Sequence, residues 1–290
     1  MKGSPPGVRA DALGQLPRLK TAYATEFSNR SRGVRLALAA GAIALLTGYA
    51  LWALDFSLVR ILSGLGRLGD FSLMMLPPSA GGRFAIYLQS LFETVAIAYL
   101  GTLVAGLFAF PFAFLAAKNV IPNIFVHFGA RRVLDVFRGV DTLIWALLWV
   151  NVVGLGPFAG VLAIACSDFG SLGKLFSEAI ETAAQGPVDG VASAGGARAH
   201  QIRFGILPQI VPVIGGLTLY FIESNTRSAT IIGIVGAGGI GVHLAEQIRV
   251  LNLQDVSCLI LMILAAVTAI DFVSGKLRVG MIGKRGEAMA

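Results

Sequence analysis

GIVGAGGIGVHLAEQI, residues 233–248, is the stretch on which the fold turns. Gly236, Gly238 and Gly241 satisfy G-x-G-x-x-G, a strand-like IIGIV runs into them, and Asp255 follows at about the distance of a ribose-binding acid. Taken alone, the stretch points to a dinucleotide-binding fold. That fold requires a βαβ unit in a soluble parallel sheet, so the flanking sequence has to supply partner strands.

The flanks supply membrane spans instead. Of 290 residues, 56% are hydrophobic and 13% charged, and the mean hydropathy is +0.77. Soluble domains carry about 25% charged residues, so this chain lacks the ionic groups to cover itself in water and belongs in a bilayer. Leu36–Leu54, Thr94–Ala117, Thr142–Ser167, Phe204–Ile222 and Val256–Ile270 contain no Asp, Glu, Lys or Arg. A helix needs about 20 apolar residues to cross a hydrocarbon core of roughly 30 Å. Gly154-Leu155-Gly156-Pro157 reads as a tight turn that divides the third run into two spans, giving an all-α integral membrane protein of about six.

Loop charge orients these spans, because Lys and Arg collect on the cytoplasmic side. Lys2, Arg9, Arg18, Lys20, Arg30, Arg32 and Arg35 precede the first span. Lys118, Arg131, Arg132 and Arg138 fall in one internal loop, Lys174, Arg198 and Arg203 in another, and Lys276, Arg278, Lys284 and Arg285 in the tail. Arg60, Arg67, Arg83, Arg227 and Arg249 fall outside. The expected organisation is a cytoplasmic tail over 1–33, a first span with an external loop over 34–84, a core over 85–275 and a cytoplasmic tail over 276–290. Within the external loop RILSGLGRL reads as a short interfacial helix. The net charge of +7 suits anionic lipid headgroups, and no basic patch with interleaved aromatics marks a nucleic-acid surface.

Chemistry is sparse. Cys166 and Cys258 lie in apolar runs and read as small core residues, and His127, His200 and His243 are scattered over separate loops. No G-x-x-x-x-G-K-[ST] occurs; Gly170–Leu175, the nearest string, lacks the spacing and the hydroxyl. Four acids sit in or at the ends of spans: Glu93, Asp141, Glu223 and Asp271. Glu223, Asn225 and Arg227 form a polar cluster read at the outer end of the fifth span, suited either to interfacial anchoring or to lining a path for an oxyanion; Asn151 is a candidate on the same logic. Asp141 and Asp271 read as helix-end anchors, and Glu93 as pairing with a buried Arg or a backbone donor.

The longest internal loop, 168–203, accommodates two short helices, 172–184 and 188–203, separated by Gln185-Gly186-Pro187. Within it Asp189-Gly190-Val191, then Gly195 after three residues, then Gly205-Ile206-Leu207-Pro208 after nine, resembles the E-A-A-x3-G-x9-I-x-L-P signature of permease subunits of binding-protein-dependent ABC importers. Gly190, Val191 and Gly205 depart from that pattern. The surroundings, FSEAIETAAQGPVDGVASAGGARAHQIRFGILPQIVP and LTLYFIESNTRSATIIGIVGAGGIG, are similar to the phosphonate-transporter subfamily, over about 85–275.

The resemblance implies ABC importer type I permease architecture, with coupling helices at about 170–203. Asp189, Gly195, Gly205, Leu207 and Pro208 would shape the loop received by two cytoplasmic ATPase subunits, with Asp189 capping the second coupling helix. It further implies a second copy of the chain, an extracytoplasmic phosphonate-binding protein, and ATP and Mg2+ held by the ATPase, with no cofactor here. Localisation would be the bacterial cytoplasmic membrane. The glycine-rich stretch then becomes an irregular segment between the fifth and sixth spans. A rival expectation is an ion-coupled carrier or channel for small anions, with Glu93 or Glu223 as its proton-relay acid; a membrane-bound enzyme is a second, for which clustered nucleophiles are lacking.

Overall fold

The computed structural model describes residues 30–286, and every regular element among them is helical. The chain divides into two units at Gly69. The first holds α1 (Arg30–Ala53), exposed from Gly33 onward and apolar on all sides, as a lipid-facing span must be. It also holds most of α2 (Leu58–Met74), where Ile61, Leu65 and Leu68 recur at helical spacing and Arg60 pairs with Asp55 at 2.9 Å. This is the amphipathic character expected of an interfacial helix. The expected tail over 1–33 lies, as far as residue 29, outside the described residues.

The second unit is built around a central helix. In order it contains α3 (Phe84–Ala116), α4 (Ile124–Arg138), α5 (Thr142–Val153), α6 (Pro157–Glu181) and α7 (Gln185–Ser193). A turn at Arg198–His200 and a π-helical segment, Gln201–Ile206, then lead into α8 (Leu207–Ile234), α9 (Ile240–Arg249) and α10 (Leu253–Gly286). α6 packs against α3, α4, α5 and α8. Small residues permit that closeness: a Cβ on Gly101 would stand 2.7 Å from Ile164, and one on Gly173 would stand 2.5 Å from Leu134. Alanines dominate the buried seams, with Ala105, Ala109 and Ala113 facing Leu172 and Phe176, and Ala98, Ala146 and Ala163 meeting Ile97 and Ile232.

Five helices (α1, α3, α6, α8 and α10) are long and apolar enough to cross a bilayer, and α4 with α5, bent by 82°, brings the number to six where the pair counts as one broken span rather than a re-entrant loop. α5 has 12 residues, about 18 Å at 1.5 Å per residue, and does not cross a bilayer alone. The turn expected at Gly154–Pro157 is present, with Gly154 and Gly156 at φ 93° and 134° and Pro157 opening α6.

Five boundaries differ from expectation: the second helix expected over 188–203 ends as α7 at Ser193, just before the turn at Gly195, and four others follow. Asp168 does not begin a loop, because α6 continues to Glu181 and absorbs the first expected coupling helix. Its charges have tertiary partners: Lys174 Nζ lies 2.8 Å from Asp135, and Glu181 lies 2.7 Å from Arg131. Gln185-Gly186-Pro187 is the first turn of α7 rather than a separator, a place where proline's missing N–H costs nothing. α8 runs on to Ile234, so the Glu223 cluster lies within the helix and not at its outer end. α10 remains helical to Gly286, past the expected tail boundary at 276.

Candidate functional site

The segment expected to couple to an ATPase is a single exposed helix on a braced base. α7 has no buried residue. Beneath it, Glu181 Oε1 accepts from Arg131 Nη2 at 2.7 Å and from the Lys118 N–H at 2.8 Å, while Asn119 Nδ2 donates to Ile180 O at 2.7 Å. The C-terminal ends of α3 and α6 are thereby tied to each other and to the middle of α4. Gly195 turns the chain after α7 at φ 82°, where a side chain would be strained. Gly205, which departs from the family's Ile, lets α7 approach: a Cβ there would stand 2.9 Å from Val188 Cα. Leu207 and Pro208 open α8. Asp189 stands exposed on the second turn of α7; the cap position belongs to Ala184, so the expected Asp189 cap does not form.

The candidate path residues part company. Asn225 turns into the subunit, 5% exposed, where its Nδ2 donates to Thr102 Oγ1 at 2.8 Å and to Asp168 Oδ2. It joins α3, α6 and α8 and does not line a mouth. Glu223 accepts from Arg278 Nη2 of α10 at 2.9 Å, and Ser274 Oγ beside them donates to Leu219 O at 3.3 Å. Arg227, two residues beyond Asn225 and so about 200° round the helix, is exposed. Asn151 is exposed on α5, its Nδ2 donating to Leu147 O at 2.7 Å. Asp141 caps α5 by accepting from the Leu143 N–H at 2.8 Å.

The glycine-rich stretch is a junction between helices. Gly236, Gly238 and Gly239 have φ of 96°, 85° and 76°, and the loop they form joins α8 to α9. Glu93 Oε1 accepts from the Gly239 N–H and Thr94 Oγ1 from the Ile240 N–H, both at 2.8 Å, so α3 caps α9 from across the fold. Gly156 N–H donates to Gly236 O at 2.9 Å, binding the α5–α6 turn to the same loop. Asp255 is 2% exposed and accepts from Tyr87 OH at 2.6 Å and Arg83 Nη2 at 2.9 Å. Neither the glycines nor the acid is free for a dinucleotide.

Sequence reasoning missed Asp168 as an interior residue and the Arg83–Tyr87–Asp255 cluster altogether. A small, apolar run continuing past Asp168 as FGSLGKLF was the available signal for the first. The second joins residues more than 160 positions apart and has no local signature.

Residues 109–278 match the family described as binding-protein-dependent transport system inner membrane component. HtxC of Stutzerimonas stutzeri, named as a permease protein of a phosphite transport system, is 39% identical over 233 residues, 80% of this chain and 82% of that one. The phosphite transport system permease protein PtxC of the same species is 35% identical over 242 residues, covering 82% and 88%. Among solved structures, the methionine ABC transporter MetNI in inward-facing conformations matches with a TM-score of 0.61 at 15% identity, over 70% of this chain and 99% of that one. That likeness concerns the fold. With a family match across most of the second unit, this chain belongs to the inner-membrane components of binding-protein-dependent transport systems.

Proposed function

We propose that two copies of this chain form the membrane path of an ATP-driven importer for small tetrahedral phosphorus oxyanions, phosphite or phosphonate, with both termini in the cytoplasm. The observation that carries the ATP-driven part is α7: an exposed nine-residue helix on a braced base, offering a surface for a partner to push and nothing of its own to move it. Nucleotide binding belongs to the ATPase partner, as family membership establishes. Substrate class is drawn from HtxC and PtxC, whose similarity extends over four fifths of both chains.

In this reading the ATPase pair draws the two α7 helices together, the path opens outward to a docked binding protein, and hydrolysis returns it inward. Arg227 and Asn151, exposed on α8 and α5, are the groups we assign to the path, a cation and an amide suited to an oxyanion. Family membership displaces the ion-coupled carrier, and both of its candidate acids are engaged, Glu93 with Gly239 and Glu223 with Arg278.

The test is ATP hydrolysis by the chain co-purified with its ATPase in lipid, with and without binding protein, adding phosphite, 2-aminoethylphosphonate or phosphate. Stimulation that needs both the binding protein and one of these anions supports the assignment. Stimulation by none of them removes the substrate class.

A further inference from the structure

α7 begins without a cap of its own: Ala184 occupies the cap position and has no side chain to fill it. Gln209, in the first turn of α8, holds Ala184 itself. Its Oε1 accepts from the Ala184 N–H at 3.0 Å, and its Nε2 donates to Ala184 O at 3.1 Å and to Gly205 O at 2.7 Å. One carboxamide therefore grips both polar backbone atoms of a single residue at the α6–α7 junction. The bond to Gly205, four residues earlier, fixes its orientation, and both amide hydrogens are used.

Two routes join α7 to α8. The covalent one runs through the turn at Gly195-Gly196 and the π-helical segment Gln201–Ile206, whose ladder is wider than that of the α-helix it leads into. The second is the packing of α7 on the π segment itself, together with the bonds by which Gln209 reaches from α8 to the start of α7. Apart from Gln209 it is apolar, with Val188 beside Gly205 and Ala183, Ile202 and Leu207 gathered around Ile206 and Ile210. Apolar contact is non-directional and resists rolling or sliding weakly; hydrogen bonds fix direction.

We infer that Gln209 is the positioning residue that carries displacement of α7 into α8, an inference that rests on the importer function proposed for the chain. α8 is suited to receive it. Asn225 ties α8 to α3 and α6, and Glu223 ties it to α10, so displacement delivered at Gln209 reaches the spans together. Without the amide, α7 is held on the π segment by non-directional apolar contact alone, and its displacement reaches α8 incompletely.

The experiment measures phosphite uptake and ATP hydrolysis in parallel, in proteoliposomes holding the chain, its ATPase and the binding protein. Gln209→Met keeps the length of the side chain and removes all three bonds. Assembly and ATP hydrolysis stay near wild type while phosphite moved per ATP falls about tenfold, the effect of losing hydrogen bonds worth together on the order of a factor of ten. Gln209→Glu, which keeps the acceptor for the Ala184 N–H and loses both donors, shows the same direction and serves if the Met variant does not assemble. An unchanged ratio, uptake and hydrolysis falling in step, or failure of both variants to assemble overturns the inference and leaves Gln209 a folding residue. If the wild-type complex itself shows no hydrolysis that depends on the binding protein, the importer function fails first, before any variant is compared, and the inference with it.

Discussion

Asp168 lies midway along α6 at 4% exposure, with a carboxamide and a hydroxyl as its side-chain partners. A carboxyl at membrane depth is costly unless its hydrogen bonds are met, and Asn225 is the group that meets them. Asn225→Leu is expected to lower stability by about 1–3 kcal/mol, because it leaves that buried acid without its amide donor. Asp168→Asn, which keeps hydrogen-bonding capacity, is expected to cost less. Thermal unfolding in detergent checks both, and an Asn225→Leu protein that melts with wild type would remove the network from the stability account. The glycines divide in the same way. Gly239 combines φ 76° with Thr94 pressed against its missing Cβ, so Gly239→Ala is expected to cost about 1–3 kcal/mol or prevent accumulation. Gly186, with nothing within 4 Å, accepts alanine without loss, and comparing the two variants separates a crowded glycine from an open one.

Elements are where charge counting failed. A charge-free run ends at Asp168 while the helix does not, and Lys174 and Glu181 sit within α6 because α4 offers Asp135 and Arg131 to receive them. The same holds for α8 at Glu223, whose partner Arg278 lies 55 residues away in α10. α7 shows the opposite case: its existence was legible from spacing, while its start was misplaced by a proline that the first helical turn tolerates. Its exposed acid tests the coupling role proposed for α7. Asp189→Lys reverses the charge at an exposed position of a helix with no buried residue, so the protein is expected to insert normally while phosphite uptake falls about tenfold, the scale of one misplaced interfacial charge. Uptake at the wild-type rate, measured in proteoliposomes beside a membrane-insertion control, would take α7 out of the docking surface.

For the whole molecule, the proposed topology of six passes with both termini in the cytoplasm predicts that Arg67→Cys, in a background lacking the half-buried Cys166 and Cys258, reacts with an impermeant maleimide added outside intact cells. A tag after Ala290 stays protected from external protease. Labelling of Arg67→Cys only from the inside would invert the topology. A pair of subunits predicts two copies of the 30.4 kDa chain in the purified complex, which its mass determines. The sequence by itself determined the environment, the helical class and the turn at Gly154–Pro157, each of which follows from composition or from spacing along one helix or turn; the segment with Gly195, Leu207 and Pro208 was legible through its resemblance to the family signature. Only the tertiary structure decided what the polar residues do: that Glu93 and Thr94 hold the glycine-rich loop, that Asn225 faces Asp168, that Glu223 meets Arg278, and that Gln209 grips Ala184. The reason is physical. Apolar burial is non-directional and leaves a periodic trace in the chain, whereas a hydrogen bond between distant helices depends on two side chains meeting in space, which no spacing along the sequence records.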